Sequence, residues 1–399
     1  MDEIFDLTKR KRLTLKRGKE RVVANRHPWI FAGAIGGESG PPDAALADLV
    51  DGDGARLASG FYSPHSEIRL RALAYGDEEL SGELIAARVR AAIARRQAIL
   101  DAKTNAARLI NAEGDELSGL VADLYNDVLV LEIGNAGLER IKPLILDAIR
   151  RELTPRVVYL SNDLPARRLE QLPTEAQAIG EGSPATTFLE NGLRFEVDPA
   201  AGQKTGFFLD QRDNRAIAGS LAAGKRVLNL FAYTGAFGVY AAAGGATYVE
   251  NVDGSDPAIA QARRNHELNG SAAIAKFTVA DAFAHVRHLA AAREQFGLIV
   301  CDPPAFAKKR AEVERAARGY KDINLYAMRL LEPGGRMLTF SCSGHMSLDL
   351  FQKVIFSAAL DAGRRIAFVR RLTAGTDHPV SLYCPEGEYL KGFLLEARE

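Results

Sequence analysis

From about Gly192 onward, short apolar runs alternate with helical stretches, and few folds accept that order. KRVLNLFAY (Lys225 to Tyr233) reads as a strand and TGAFGVYAAAGG as a helix ending in glycine. TYVENVD is the next strand, and SDPAIAQARRNHELNG a helix with a Ser/Asp/Pro start and a Gly stop. KFTVADA, FGLIVCDPP and GRMLTFSCS supply further strands with helical stretches between. Strands joined by helical crossovers lie parallel, so the pattern implies an α/β fold whose sheet is covered on both faces. IAFVRRL, SLYC and LKGFLLEA, joined by short turns, fit an antiparallel strand at the end of that sheet.

The first half reads differently. At 399 residues the chain has room for two or three domains. Its opening ~75 residues are short apolar runs cut by Gly and Pro, a small β domain. RLTLKRG and RVVA read as strands, and GGESGPPD (Gly36 to Asp43) as a loop. ALADLVDGDGARLASGFYS reads as strand, Asp-Gly turn and strand. A helix follows, with Ile85, Val89, Ala92, Ile93, Arg96 and Leu100 at three- and four-residue steps. Strand-like VADLYNDVLVLEIG, a helix over 137–151 and the strand VVYL complete an α+β segment. The expected domains are 1–76, 77–190 and 191–399.

Only three cysteines occur, Cys301, Cys342 and Cys384, which excludes a disulfide framework and suits a reducing, cytoplasmic setting. No signal peptide is expected from MDEIFDLTKRKRL, and no apolar run reaches the ~20 residues a membrane helix needs. Fifty-one basic residues balance 51 acidic ones, which excludes a general polycation. Eight basic residues nevertheless cluster from Lys9 to Arg21 beside a single acid, Glu20. Alternation of Leu13 and Leu15 with them favours a strand with a phosphate-facing side. Lys308, Lys309 and Arg310 offer a second basic group, which solvation of a helix surface explains nearly as well.

In such a sheet ligands bind beyond the carboxyl ends of the strands, near the reversal of strand order. The first strand runs into NLFAYTGAFG (Asn229 to Gly238), whose Gly235 permits a tight turn. Gly-x-Gly-x-x-Gly is absent, so pyrophosphate binding is poorly supported. Asp253 follows Gly235 by 18 residues, where a carboxylate can grip a ribose diol. Its bland alternative, a helix cap, is already served by Ser255 and Asp256. Asp281 ends the third strand and can accept from an adenine amino group. A nucleoside without phosphate contacts matches this set, and S-adenosylmethionine is the commonest such cofactor. The fourth strand ends in Asp302-Pro303-Pro304-Ala305-Phe306, rigid backbone holding Asp302 and Phe306 toward a pocket mouth. The fifth ends in Ser341-Cys342-Ser343-Gly344, which sets Cys342 at the ligand edge as a candidate nucleophile. Buried inert thiols are the expectation for Cys301 and Cys384.

These motifs in this order resemble the class I methyltransferase fold, Rossmann-like in its sheet. More narrowly they resemble the bacterial ribosomal RNA large subunit methyltransferase I family, which makes 5-methylcytosine in 23S rRNA. The resemblance is carried by GQKTGFFLDQRDNR, NLFAYTGAFGVYA, VDGSDPAIAQARRNHELNG, DPPAF, RGYKDINLYAMRLLEPGG, TFSCSGHMSLDLFQKVI, TDHPV and CPEGEYLKGF. LKRGKERVVANRHPWIFAGAI is similar to the family's PUA domain, an RNA-binding β barrel, and the segment after it to a small α+β connector.

The resemblance implies Cys342 as covalent nucleophile and Asp302 as the carboxyl at the base edge. It implies that Gly202 to Arg215 closes one side of the cofactor pocket, with Lys204, Phe208 and Arg212 as contacts. Ala232, Tyr233, Gly235, Asp253 and Asp281 complete the expected cofactor set. It further implies 23S rRNA, naked or in an assembling large subunit, as partner, and a homodimer. Pro304 stands where another class of cytosine methyltransferases has a second cysteine, which leaves the final proton acceptor open. His285 and His288 lack a third ligand, so no metal is expected. His27 and His378, each before a proline, read as turn or packing residues. The rivals are methylation of an exocyclic amine, a non-catalytic RNA-binding assembly factor, and a nicotinamide oxidoreductase.

Overall fold

The computed structural model describes residues 7–202, 205–307 and 309–398. They gather into two compact units, each assembled from separated stretches of chain. The first comprises Met1–Phe188, Val197–Phe207 and Thr376–Gly387; the second Leu189–Glu196, Phe208–Gly375 and Glu388–Glu399. Among the described residues no helix is long and apolar enough to cross a membrane.

The first unit holds two sheets. β1 (Arg10–Leu15), the short helix α1 (Arg21–Ala24), β2 (Trp29–Phe31), β3 (Ile35–Ser39), β4 (Leu46–Val50), β5 (Arg56–Tyr62) and β6 (Ile68–Tyr75) come first. Their strands form one sheet in the order β2-β6-β5-β4-β1-β3. RVVA is thus a helical turn, where β-branched residues suggested a strand. Val22 and Val23 pack on the core of Leu13, Leu15, Ile30 and Leu49, and that burial outweighs strand propensity. GGES is a strand where a loop was expected, because β3 pairs antiparallel with β1. The Asp51–Gly54 turn joins β4 and β5 as a hairpin. α2 (Gly82–Arg96) buries Ile85, Val89, Ala92 and Ile93. After it come β7 (Ala106–Asn111), β8 (Leu120–Tyr125), β9 (Val128–Ile133), α3 (Ala136–Arg140), α4 (Lys142–Glu152), β10 (Val157–Leu160), α5 (Pro165–Leu169) and β11 (Gln177–Gly180). The second sheet runs β11-β10-β9-β8-β7. The helix expected over 137–151 is broken at Ile141, since Pro143 is tolerated only in a first turn and so starts α4 anew.

The hairpin of β12 (Thr186–Glu190) and β13 (Leu193–Val197) carries the chain onward. The second unit is the alternating half. It consists of α6 (Arg212–Ser220), β14 (Arg226–Leu230), α7 (Ala236–Ala243), β15 (Tyr248–Asp253), α8 (Asp256–Leu268), β16 (Ala275–Val279), α9 (Ala282–Ala291), β17 (Phe296–Cys301), α10 (Val313–Arg329), β18 (Leu331–Ser341), α11 (Leu348–Ala362), β19 (Arg365–Leu372) and β20 (Lys391–Arg398). The sheet order is β16-β15-β14-β17-β18-β20-β19, and β20 alone runs opposite to the other six strands. SLYC is not a strand; a turn and a single 3-10 turn, Pro385–Gly387, fill that stretch. Successive strand residues point to opposite faces. Leu228, Leu230, Ile299 and Met337 therefore join one core with α9, α10 and α11. Val227, Leu298, Val300 and Leu338 join another with α6 and α7. This is why the strands read as continuous apolar runs.

Candidate active site

Strand order reverses between β14 and β17, so the turns leaving β14, β15, β17 and β18 share one edge of the sheet. The turn after β14 is tightly wound. Phe231, Tyr233 and Gly235, alternate residues, all have positive φ (56°, 47° and 76°). Only glycine adopts that region without cost, and two aromatic residues held there store strain of about 1–3 kcal/mol each. Gly235 has no alternative: a Cβ on it would lie 2.7 Å from the Ala262 Cβ. The turn is held by Ala232 N–H donating to Val252 O (2.9 Å) and by Tyr233 N–H donating to Asp253 Oδ2 (2.8 Å).

Asp253 accepts a second backbone N–H, from Ser255, on Oδ1 at 2.9 Å. A carboxylate offers about four lone-pair sites, so two stay available to a diol. Asp281 is more exposed, and its Oδ1 caps α9 by accepting from Ala284 N (2.8 Å). Asp281 thus has a structural use beside the adenine-acceptor role expected of it. A carboxylate with no sequence signal, Glu250, lies three residues before Asp253 on β15. Burial would raise its pKa, but bonds from His285, Lys276 and Thr278 at 2.9–3.0 Å hold it down at about 2. His285 thus serves a carboxylate.

The β17 and β18 turns are stitched together. Asp302, half-buried, accepts from Gln211 Nε2 at 2.9 Å on Oδ2. The half-buried Cys342 aims its thiol at the Pro303 carbonyl, 3.7 Å away. Ser343 Oγ accepts from Ala307 N (3.2 Å) and meets the Tyr320 hydroxyl (3.0 Å). Lys391 Nζ donates to the Ser343 carbonyl at 2.9 Å. Phe306, expected at a pocket mouth, is half-buried. It packs into an aromatic cluster with Tyr320 (4.6 Å between centroids), Phe283 and Phe231. Burial pushes the Cys301 thiol well up, and it pushes Cys384 up to about 12.

Of the segment Gly202 to Arg215, Lys204 lies outside the described residues, as does Lys308 of the second basic group. Phe207 is buried edge-on against Phe188, and Phe208, half-buried, meets Tyr233 edge-on at 5.2 Å. Arg212 is buried with Nε 3.7 Å from Glu190, whose carboxylate also takes two bonds from Arg215 (2.8 and 2.7 Å). The Arg212 guanidinium therefore faces an internal anion. Sequence reasoning missed Gln211, Glu190 and Lys391. Gln211 and Lys391 stood inside quoted motifs, GQKTGFFLDQRDNR and CPEGEYLKGF, while Glu190 carries no signal of its own.

One cluster has metal-like composition. His27 Nε2, Cys384 Sγ and a Glu386 oxygen lie within 4.8 Å of one another. Trp29 N–H donates to His27 Nδ1 (3.0 Å), which leaves the ring proton on Nε2, facing Glu386 at 3.2 Å. A cation would have to displace both that proton and a thiol proton held to about pH 12. The cluster is satisfied as hydrogen bonds.

Two family models match the chain, an S-adenosylmethionine-dependent methyltransferase over residues 163–382 and a PUA-like domain over residues 13–75. The ribosomal RNA large subunit methyltransferase I of Tolumonas auensis is 43% identical over 390 residues, covering 96% of this chain and 98% of that protein. Its namesake from Shewanella denitrificans is 43% identical over 391 residues, with the same coverage. The solved structure of SMU.776 complexed with SAH superposes with a TM-score of 0.83 at 22% identity, over 96% of this chain and 99% of that one. A second structure, from Streptococcus mutans, gives 0.81 at 23% identity with equal coverage. At that identity the two structures speak for the fold alone.

Proposed function

Since the chain belongs to the ribosomal RNA large subunit methyltransferase I family, we propose that it forms 5-methylcytosine in 23S rRNA through a covalent adduct on Cys342. The methyltransferase is S-adenosylmethionine-dependent, and the cofactor when bound supplies an electrophilic methyl group on a sulfonium. The strand-end residues fit it. Asp253 keeps acceptor capacity for a ribose diol, Ala232, Tyr233 and Gly235 form the turn beside it, and Phe208 lies against Tyr233. In this reading residues 1–76 hold RNA, 77–190 connect, and 191–399 carry the chemistry.

Carbon 5 of cytosine is too weak a nucleophile to take a methyl group unaided. A Cys342 thiolate adding to carbon 6 forms an S–C bond and drives the ring electrons toward carbon 5. Asp302, oriented by Gln211, hydrogen-bonds the ring edge as charge builds there. After carbon 5 is methylated, a base takes its proton, the electrons return, and the C6–S bond breaks to release the thiolate.

What best supports this reading is the meeting of the two turns: Cys342 Sγ lies 3.7 Å from the carbonyl of the residue after Asp302. Cys342→Ala should reduce methyl transfer to rRNA to below about a thousandth of wild type, as loss of a nucleophile does. S-adenosylmethionine binding, followed by calorimetry, should be unchanged. Nucleoside mass spectrometry of the wild-type product should show 5-methylcytidine. Retained turnover in the variant, or a methylated exocyclic amine as product, refutes the adduct.

A further inference from the structure

Lys391 opens β20 and pairs in register with Ser341, the last residue of β18. It is buried, only 6% exposed, and its Nζ donates to the Ser343 carbonyl. The ammonium thus lies against the turn that carries Cys342. Among the described residues that bond is its hydrogen-bonding partner, and no carboxylate forms an ion pair with it. Buried charges are retained in proteins when something opposite in sign stands by. On this turn the group able to become that anion is the Cys342 sulfur.

We propose that Lys391 is the counter-cation of Cys342: its ammonium holds the nucleophile as thiolate before RNA binds. Lys391 is then a positioning residue that acts through the sulfur, and its role rests on the reading of Cys342 as nucleophile. Burial pushes Lys391 below the usual lysine range, while the Cys342 sulfur and Glu388 draw it back up. Such an attraction is mutual, so what favours the ammonium favours the thiolate. Among the described residues, other groups on these turns oppose ionisation. Glu388 and Asp302 bring negative charge to the same turns, and Tyr320 offers none of its own. The Pro303 carbonyl accepts from the protonated thiol and stabilises that form. Lys391, held against this turn by its bond to the Ser343 carbonyl, supplies a cation for the thiolate.

The test is alkylation of Cys342 by iodoacetamide from pH 5 to 10, read by peptide mass spectrometry, which separates it from the buried Cys301 and Cys384. In the wild-type protein the midpoint should fall below the ordinary thiol value of about 8.5. Lys391→Met should raise it by one unit or more, cutting alkylation at pH 7 about tenfold while leaving the rate at pH 10 unchanged. The pH optimum of methylation should move up with it, and Lys391→Arg should restore the wild-type midpoint. A wild-type midpoint at or above about 8.5 overturns the proposal, even if Lys391→Met fails to fold. An unmoved midpoint in a Lys391→Met protein that still binds S-adenosylmethionine also overturns it. Neither result touches the nucleophile, which stands or falls with Cys342→Ala.

Discussion

His266 lies at the end of a buried polar chain beneath the β14 turn. Asn229 donates to Asn251 Oδ1 (2.9 Å), Asn251 Nδ2 meets His266 Nε2 (3.1 Å), and His266 Nδ1 meets Ser271 Oγ (2.8 Å). Each ring nitrogen has the partner a neutral imidazole wants, and burial lowers its pKa from 6.5 to about 4. The consequence for stability has a definite sign. Between pH 6.5 and about 4 the unfolded chain takes up a proton that the folded one refuses, so stability falls as pH drops through that window and is flat above it. The full loss is about 3 kcal/mol. Urea unfolding at pH 7.5 and 5 should show about 2 kcal/mol of it, and His266→Gln should flatten the slope. Glu250 acts lower, between its ordinary 4.5 and about 2, and its contribution is separable. Little of this is legible in the sequence, where His266 is one histidine in a helix. The positions of Cys342 and Asp302 just past strand ends were legible because strand ends announce themselves through Pro, Gly and Ser.

At the scale of elements, Glu190 ties β12 to two helices. It is buried, and beyond Arg212 and Arg215 of α6 it accepts from the Tyr240 hydroxyl of α7 at 2.9 Å. Glu190→Gln would leave two buried guanidinium groups short of a counter-charge. A loss of about 3–5 kcal/mol in chemical denaturation is expected. Replacing Glu190 and Arg215 together by apolar residues should cost less than the sum of the single changes. The long strands and helices of this unit could be read directly, because they carry their own periodicity and three of the helices their own cap, Ser255 for α8, Asp281 for α9 and Ser347 for α11. β3 could not. Gly36, Gly37, Glu38 and Ser39 are all exposed, and they form a strand only because β1 offers a partner more than 20 residues earlier in the chain.

For the whole molecule, the sequence supports three segments in linear order, whereas the compact units gather separated pieces. Thr376–Gly387 belongs to the first unit, and its TDHPV stretch makes bonds that its place late in the chain does not foretell. Asp377 accepts Arg108 N on its carboxylate and Arg96 Nη2 on its carbonyl, both at 3.0 Å, and Asn111 Nδ2 donates to Pro379 O at 2.9 Å. Thr205 likewise donates to Asp123 (2.6 Å) within the same unit. A fragment of residues 1–188 lacks both returns. It should unfold at lower urea than the corresponding transition of the intact protein, by at least about 2 kcal/mol for the buried polar groups left unpaired. Equal stability would show the returning pieces to be ornamental. Nascent chains usually fold from the front as they emerge. Here the front half cannot be completed until translation has passed position 387, so nearly the entire polypeptide must be kept from misassociating while it waits for its own tail.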